Sequence, residues 1–196
     1  LANEFLREFG LTTADLVEGF PPMLAHAGAT HVVFALRDHA KLKAMAYKLE
    51  PMKVLMRTNE VVTVNLIFQE PDGKIIHSRN AFASGGVYED PATGAAAAAL
   101  GGLLRDLGKL NFAGNAALFD VRQGDEMNSP SRIQVRVEPQ RGTPVRIGGA
   151  VRKIAPQQPP AANQPWLAAA ACAALLIGQQ IAAKSLRDAL FLSTFA

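Results

Sequence analysis

The strongest constraint on the fold of this 196-residue chain is a run of very small apolar residues, GAAAAALGGLL, at 94–104. Asp90 and Pro91 before it favour a helix start, so the run predicts a helix over about residues 94–107. A helix that is apolar on every side must be enclosed by other structure. Each glycine inside a helix costs about 1 kcal/mol relative to alanine, so Gly101 and Gly102 indicate that another element packs closely against it.

Strand patterns on both sides of this helix supply the enclosing wall. Residues 61–69 and 74–82 alternate with a period of two around the turn Pro71-Asp72-Gly73, which predicts a hairpin. Further strands are expected at 31–36, 116–122, 132–138 and 144–154. We therefore predict the α+β class, with a curved, mostly antiparallel sheet rolled around one central helix.

The first 50 residues predict a mixture of short elements. Residues 1–18 carry two short helical patterns, the second beginning at Thr12 or Thr13. The segment GFPPMLAHAG, Gly19 to Gly28, has two adjacent prolines and predicts a loop. Apolar residues at helical spacing predict a further helix over 38–49.

The composition changes after residue 154 and divides the chain into three predicted parts. Residues 1–154 form the globular domain, and 155–165 (APQQPPAANQP) form a proline-rich and glutamine-rich linker. Residues 166–196 predict an apolar helical tail, in which Gln179 and Gln180 interrupt a stretch close to the ~20 residues of a membrane span. A membrane helix, a helix packed on protein and a membrane-inserted segment unrelated to the domain all stay open.

Charge and cysteine content exclude several classes of function. The net charge is +3, and the basic residues are scattered among acidic ones without interleaved aromatic residues, so no nucleic-acid partner is expected. The lone cysteine, Cys172, allows neither an internal disulfide nor a zinc site built from thiolates, and this favours the cytoplasm. Residues 1–20 lack the basic and apolar pattern of a secretory signal.

The helix start itself supports two interpretations. Asp90 and Pro91 suit an ordinary buried helix. In the functional interpretation, Thr93, Gly94 and Ala95 present unpaired amides at the positive end of the helix dipole, a place suited to a carboxylate or phosphate. Asp90 then accepts a hydrogen bond from a substrate or from a protonated catalytic partner.

The segment EDPATGAAAAAL, residues 89–100, resembles the signature of the phenazine-biosynthesis PhzF-like family, which usually contains Glu-Asp-Pro-Ala-Thr-Gly-Ser-Ala. Four other segments occur in the order that this family shows, and the resemblance covers about residues 11–154. They are AGATHVVFAL at 27–36, RNAF at 79–82, QGDEMNSPS at 123–131 and VRIGGAVRKI at 145–154.

The resemblance implies a fold like that of diaminopimelate epimerase, with two similar halves around a cleft, of which this chain resembles the C-terminal one. It also implies an isomerase or epimerase that needs no metal or cofactor, as in the isomerisation of a dihydro-hydroxyanthranilate. A glutamate of the other half moves the proton. Asp90 aligns with the aspartate of the second half, which makes it the candidate catalytic residue of this chain, and Thr93, Gly94 and Ala95 align with the substrate-binding Thr-Gly-Ser turn. The implied partners are a small carboxylate substrate, the missing N-terminal half and a second copy in a homodimer.

Several positions depart from the family pattern. Ala95 stands where serine is expected, and Asn128-Ser129 replaces the usual Gly-Arg before Pro-Ser. No counterpart of the first half's acid/base glutamate is found, so the chain alone is expected to be inactive. The alternative function is a non-catalytic binding or scaffold domain that the tail holds near a membrane.

Other titratable residues are expected to have structural roles. His26 and His31 are expected to be loop and strand-edge residues rather than a catalytic dyad. Glu89 is expected to be a solvated or hydrogen-bonded neighbour of Asp90, with a proton-holding carboxylate pair as the alternative.

Overall fold

A computed structural model describes residues 1–150 of the chain. The predicted linker at 155–165, the predicted helical tail at 166–196 and the end of the last predicted strand lie outside the described residues. Within residues 1–150, no helix is both long enough and apolar enough to cross a membrane.

The described residues form one eight-stranded sheet. Its order is β1-β2-β3-β4-β6-β7-β8, with β5 paired to β4. The strands are β1 (Met23–His26), β2 (Thr30–Ala35), β3 (Thr63–Gln69), β4 (Ile75–Ala81), β5 (Glu89–Asp90), β6 (Ala117–Gln123), β7 (Ser131–Val137) and β8 (Arg146–Gly148). The pairs β2/β3 and β4/β6 are parallel, and the other pairs are antiparallel. The predicted α+β class with a mostly antiparallel, curved sheet is confirmed.

Four α-helices accompany the sheet within residues 1–150. They are α1 (Ala2–Glu8), α2 (His39–Lys43), α3 (Leu49–Thr58) and α4 (Gly94–Asp106). Helix α4 is the predicted central helix, and Leu100 and Leu104 on it are fully buried in the core that it forms with the inner face of the sheet. The other three helices lie on the opposite face, where Phe5, Met52 and Met56 pack against residues of β2 and β3.

The two glycines of α4 have different surroundings. A Cβ atom on Gly101 would lie 2.9 Å from Cγ1 of Val145 and 3.0 Å from Cγ1 of Val135, which is too close for an ordinary contact. A Cβ atom on Gly102 would meet only Nη2 of Arg105, at 3.9 Å. Gly101 thus allows the close packing of the sheet against α4 that the sequence indicated. Gly102 does not contribute to this packing.

Two local predictions were wrong. Residues Met23–His26 form an edge strand rather than a loop, because they pair with β2 in the register Met23↔Val33. The helix predicted over 38–49 ends at Lys43. Beyond it, the amide of Tyr47 donates to the hydroxyl of Tyr88 at 2.9 Å rather than to a helical carbonyl.

Helix α3 was not predicted. Pro51 lies in its first turn, where a backbone N–H is not needed for the helical ladder.

Candidate active site

The four residues singled out from the sequence meet where β5 leads into α4. Asp90 ends β5 and lies opposite Asn80 in β4. Thr93 is the N-cap of α4, and Gly94 and Ala95 form the first residues of that helix. Asp90, Thr93 and Gly94 are half-buried and Ala95 is exposed, so this corner of the domain is open to a ligand.

The hydroxyl of Thr93 makes three hydrogen bonds. It donates to Oδ2 of Asp90 at 2.5 Å and accepts from Nδ2 of Asn80 at 2.6 Å and from Nε2 of Gln123 at 3.0 Å. A hydroxyl has one hydrogen and two lone pairs, so this group is saturated. Its role in the structure is therefore to orient the Asp90 carboxylate, and its contact with a substrate stays a prediction.

Gln123 fixes the backbone of the turn between β5 and α4. Its Oε1 accepts from the amide of Thr93 at 3.2 Å, and its Nε2 donates to the backbone carbonyl of Asp90. The side chain is 2% exposed at the end of β6, where the strand alternation points it toward α4. Such a buried amide costs free energy unless its polar atoms are bonded, so it locks the turn in one geometry.

The segment after β6 also contacts the turn between β5 and α4. The hydroxyl of Ser131 donates to the carbonyl of Pro91 at 2.9 Å. Gly124 has φ +80°, and a Cβ atom there would lie 2.3 Å from the carbonyl oxygen of Ser129. Asn128 has φ 54°. Asparagine is one of the few residues other than glycine that readily adopt this left-handed conformation.

The first turn of α4 carries the groups that could bind an anion. Among residues 1–150, no acceptor bonds to the amides of Gly94, Ala95 and Ala96, whereas the amide of Thr93 bonds to Gln123. These free N–H groups lie at the positive end of the helix dipole. A Cβ atom on Gly94 would meet only Cγ2 of Ile147, at 3.8 Å, so the backbone there is accessible.

Glu89 does not share the environment of Asp90. Neighbouring residues of a strand point to opposite faces, and Glu89 lies on the outer face with 5% exposure. It accepts two hydrogen bonds from the guanidinium of Arg79, one of them at 3.0 Å. Burial acts against the charge of Arg79, but the bonds to Glu89 outweigh it and raise the pKa of Arg79. Glu89 is thus a hydrogen-bonded neighbour, and the alternative of a carboxylate pair with Asp90 is wrong.

The two histidines near β1 and β2 each bond to a different threonine. His26, at the end of β1, is exposed and bonds through Nδ1 to the hydroxyl of Thr30 at 3.2 Å. His31 is 1% exposed and bonds through Nδ1 to the hydroxyl of Thr63 at 2.7 Å. Burial, helped by the charge of His26, lowers the pKa of His31 to about 4. His31 is therefore neutral at pH 7, as expected for a structural residue.

The arrangement can hold and polarise a small carboxylate. It offers one oriented carboxylate, that of Asp90, beside two accessible amides of a helix N-terminus. Among the described residues, no three His, Cys, Asp or Glu side chains lie close enough together to hold a metal ion. The site thus contains one oriented acceptor and one turn whose amides are free to bind an anion.

Sequence reasoning did not assign roles to Asn80 and Gln123. Both are buried polar residues on the inner face, with 0% and 2% exposure. The sequence alternation did indicate that both are buried. Each lies on the same face of its strand as an apolar core residue, Ile76 in β4 and Val121 in β6. A polar side chain at a core position needs a hydrogen-bond partner, and here that partner is Thr93.

The sequence model of the phenazine biosynthesis-like protein family matches residues 3–154 of the chain. A curated relative from Deinococcus radiodurans, named an uncharacterized isomerase, is 33% identical over 151 residues, which cover 75% of this chain and 48% of the relative. An uncharacterized isomerase from Clostridium acetobutylicum is 24% identical over 151 residues, covering 74% of this chain and 49% of that protein. The chain thus spans about half the length of the curated relatives that it matches.

Two solved structures resemble the described fold. One is a phenazine biosynthesis protein of the PhzF family from Bacillus anthracis, with a TM-score of 0.62 and 22% identity, covering 75% of this chain and 50% of that one. The other is a protein from Pseudomonas aeruginosa described as a predicted epimerase, with a TM-score of 0.61 and 26% identity, covering 78% and 50%. The first likeness concerns the fold alone. In both cases this chain corresponds to half of the other.

Proposed function

Since this chain belongs to the phenazine biosynthesis-like protein family, we propose that it supplies one half of an isomerase or epimerase that moves a proton on a small carboxylate substrate. The observation that carries the proposal is the hydrogen bond from Thr93 to Asp90 beside the free amides of Gly94 and Ala95. The half that the chain does not cover would provide the glutamate that removes and returns the proton. This division follows the family resemblance and needs no cofactor.

Each group of the site has a defined task in this proposal. The amides of Gly94 and Ala95 bind the substrate carboxylate, and their fixed dipoles stabilise the negative charge that spreads onto it when the neighbouring carbon loses a proton. Asp90 accepts a hydrogen bond from a hydroxyl or amine of the substrate and so fixes the reacting carbon. Thr93, Asn80 and Gln123 hold Asp90 and the turn in place before the substrate binds.

The test is reconstitution from two chains. The full 196-residue chain is co-expressed with the half of the Deinococcus radiodurans relative that it does not cover. Deuterium uptake from D2O is followed by NMR at the carbon next to the carboxylate. The probes are a dihydro-hydroxyanthranilate and those α-amino acids that the intact relative exchanges. We expect exchange with the two chains together and none with either alone. Exchange by this chain alone, or none by a complex shown to be assembled, would overturn the proposal.

Ala95 favours a second candidate, a non-catalytic domain that binds small carboxylates. Without the serine hydroxyl of the family pattern, the turn keeps its backbone amides but loses one donor to the substrate. Calorimetry of the full chain against the same carboxylates distinguishes the two functions. Binding by the chain, together with no exchange by the assembled complex, would support this second function.

A further inference from the structure

The outer face of β6, β7 and β8 forms a second surface, on the side of the sheet away from α4 and Asp90. Within residues 1–150, the helices α1–α3 pack only on the part of this face formed by β2–β4 and neighbouring segments. The uncovered part holds a shallow groove of about 540 Å³, which we call the basic groove. It is lined by Lys74, Leu118, Asp120, Arg132, Arg136 and Arg146, among others.

Like charges lie directly opposite each other at this surface. Arg136 of β7 is in register with Arg146 of β8. Beside the groove, Arg122 of β6 is in register with Arg132 of β7. Directly opposed side chains in antiparallel strands have Cβ atoms about 5 Å apart, so like-charged pairs destabilise a sheet. Arg122 and Arg132 each have a carboxylate partner, Asp125 and Asp120 respectively. The unfavourable pair is therefore that of Arg136 and Arg146, and it points to a role outside folding.

Acidic residues of the chain neutralise this surface only in part. Asp120 accepts a hydrogen bond from Arg132, and Arg136 bonds to the amide of Asn115 rather than to a carboxylate. Among the described residues, Arg146 has no ion-pair partner. Residues 1–150 contain 16 of the chain's 20 lysines and arginines and 16 of its 17 acidic residues. The described part is therefore neutral as a whole, and the positive charge of the groove is a local excess.

An exposed leucine lies among these arginines. Leu118 is opposite Arg136 in the sheet and is 68% exposed, more than any other large apolar side chain among the described residues. A strand position with this exposure is usually polar. The basic groove thus combines positive charge with one apolar contact point.

We propose that the basic groove binds an acidic segment of a partner protein, whose carboxylates pair with Arg136, Arg146 and Lys74 and whose apolar side chain packs on Leu118. Charge complementarity selects an acidic partner. A second copy bound through the same face would bring arginines together, which excludes it as the occupant. The exposed groove side chains include no aromatic ring on which a nucleic-acid base could stack. A single apolar contact point, Leu118, suits one side chain of a peptide segment better than the many acyl chains of a membrane surface.

The experiment uses the full 196-residue chain and a fluorescein-labelled peptide, GEELEELEEG, with fluorescence anisotropy as the readout. We expect binding that weakens as salt is raised from 50 to 500 mM, because the charges are exposed. The double variant R136E/R146E should bind at least about tenfold more weakly. Leu118→Ser should weaken binding of this peptide but not of its control GEESEESEEG. The double variant K48E/K109E makes the same change of charge away from the groove and should bind like the wild-type chain.

A thermal melt separates a binding role from a structural one. Arg146→Gln removes one of the opposed arginines, so it should melt no lower than the wild-type chain while binding the peptide more weakly. If R136E/R146E does not fold, R136Q/R146Q replaces it. Equal affinity of the groove variant and of K48E/K109E would overturn the proposal. So would an absence of peptide binding at 50 mM salt, or tighter binding to a 20-nucleotide oligo-dT or to phosphatidylserine vesicles than to the peptide.

Discussion

The hydroxyl of Thr93 donates a hydrogen bond to Oδ2 of Asp90 across 2.5 Å. Because the same oxygen accepts from Asn80 and Gln123, its single hydrogen can point only at the carboxylate. The orientation of Asp90 is therefore set by buried residues of two strands and does not depend on a bound substrate. An acceptor fixed in this way is what a preorganised active site requires.

Replacing Thr93 by valine should damage both the site and the fold. The buried amides of Asn80 and Gln123 would lose an acceptor, which costs about 1–3 kcal/mol of the free energy of unfolding. A hydrogen bond to a charged group contributes about 1.5–3 kcal/mol, so deuterium exchange by the reconstituted complex should fall about 10- to 100-fold. Thr93→Ser keeps the hydroxyl and is the matched control. A serine variant as slow as the valine variant would refute the role of this hydroxyl.

The two neighbouring glycines of α4 should respond oppositely to alanine. Gly101→Ala places a methyl group against Val145 and Val135 and should lower the free energy of unfolding by about 1–3 kcal/mol. Gly102→Ala has open space and should stabilise the helix by up to about 1 kcal/mol. Urea unfolding of both variants measures the difference. If Gly102→Ala destabilises as much as Gly101→Ala, the packing of the sheet against α4 is not as described.

Burial of His31 should make the domain sensitive to acid. The pKa of His31 is lowered from 6.5 to about 4 in the folded chain. Between these two pH values the unfolded chain therefore binds a proton at this residue that the folded chain does not bind. Stability present at neutral pH is therefore lost as pH falls from about 6.5 toward about 4. Between pH 7.5 and pH 5 the loss from this residue is about 2 kcal/mol.

Urea unfolding at those two pH values tests this expectation. The decrease in the free energy of unfolding between pH 7.5 and pH 5 should be about 2 kcal/mol smaller in His31→Gln than in the wild-type chain. In His26→Gln the decrease should be close to that of the wild-type chain, since His26 is exposed. The same decrease in all three proteins would show that His31 does not titrate as its burial requires.

Patterns of local sequence predicted most of the sheet and its central helix. The run of small residues predicted α4 to within one residue of its last position, and alternation predicted the hairpin of β3 and β4. Strand β1 was not predicted, because two prolines precede it and its stabilising contacts, the pairing with β2 and the packing of Ala25 in the core around α4, are not local in sequence. Four residues beyond the end of α2, Tyr47 bonds to Tyr88, 41 residues away, and local periodicity does not indicate such a contact.

The sequence predicted the site residues that lie in one segment, but not those that other strands contribute. Asp90, Thr93, Gly94 and Ala95 lie within six consecutive residues, so a single motif indicated them. The contribution of Gln123 comes from a strand 30 residues away from Thr93 and depends on the parallel pairing of β4 with β6. Parallel neighbours are joined by long connections, and sequence alone did not indicate that pairing.

The most direct test of the account is deuterium exchange by the reconstituted complex with Asp90→Asn in this chain. The amide keeps the size of the side chain but removes the charged acceptor, and Asp125→Asn is the control for the loss of a nearby exposed carboxylate. We predict that Asp90→Asn lowers the exchange rate at least about 100-fold while the complex still assembles, and that Asp125→Asn leaves the rate unchanged. An Asp90→Asn complex that exchanges deuterium at the wild-type rate would contradict the central claim that Asp90 positions the substrate.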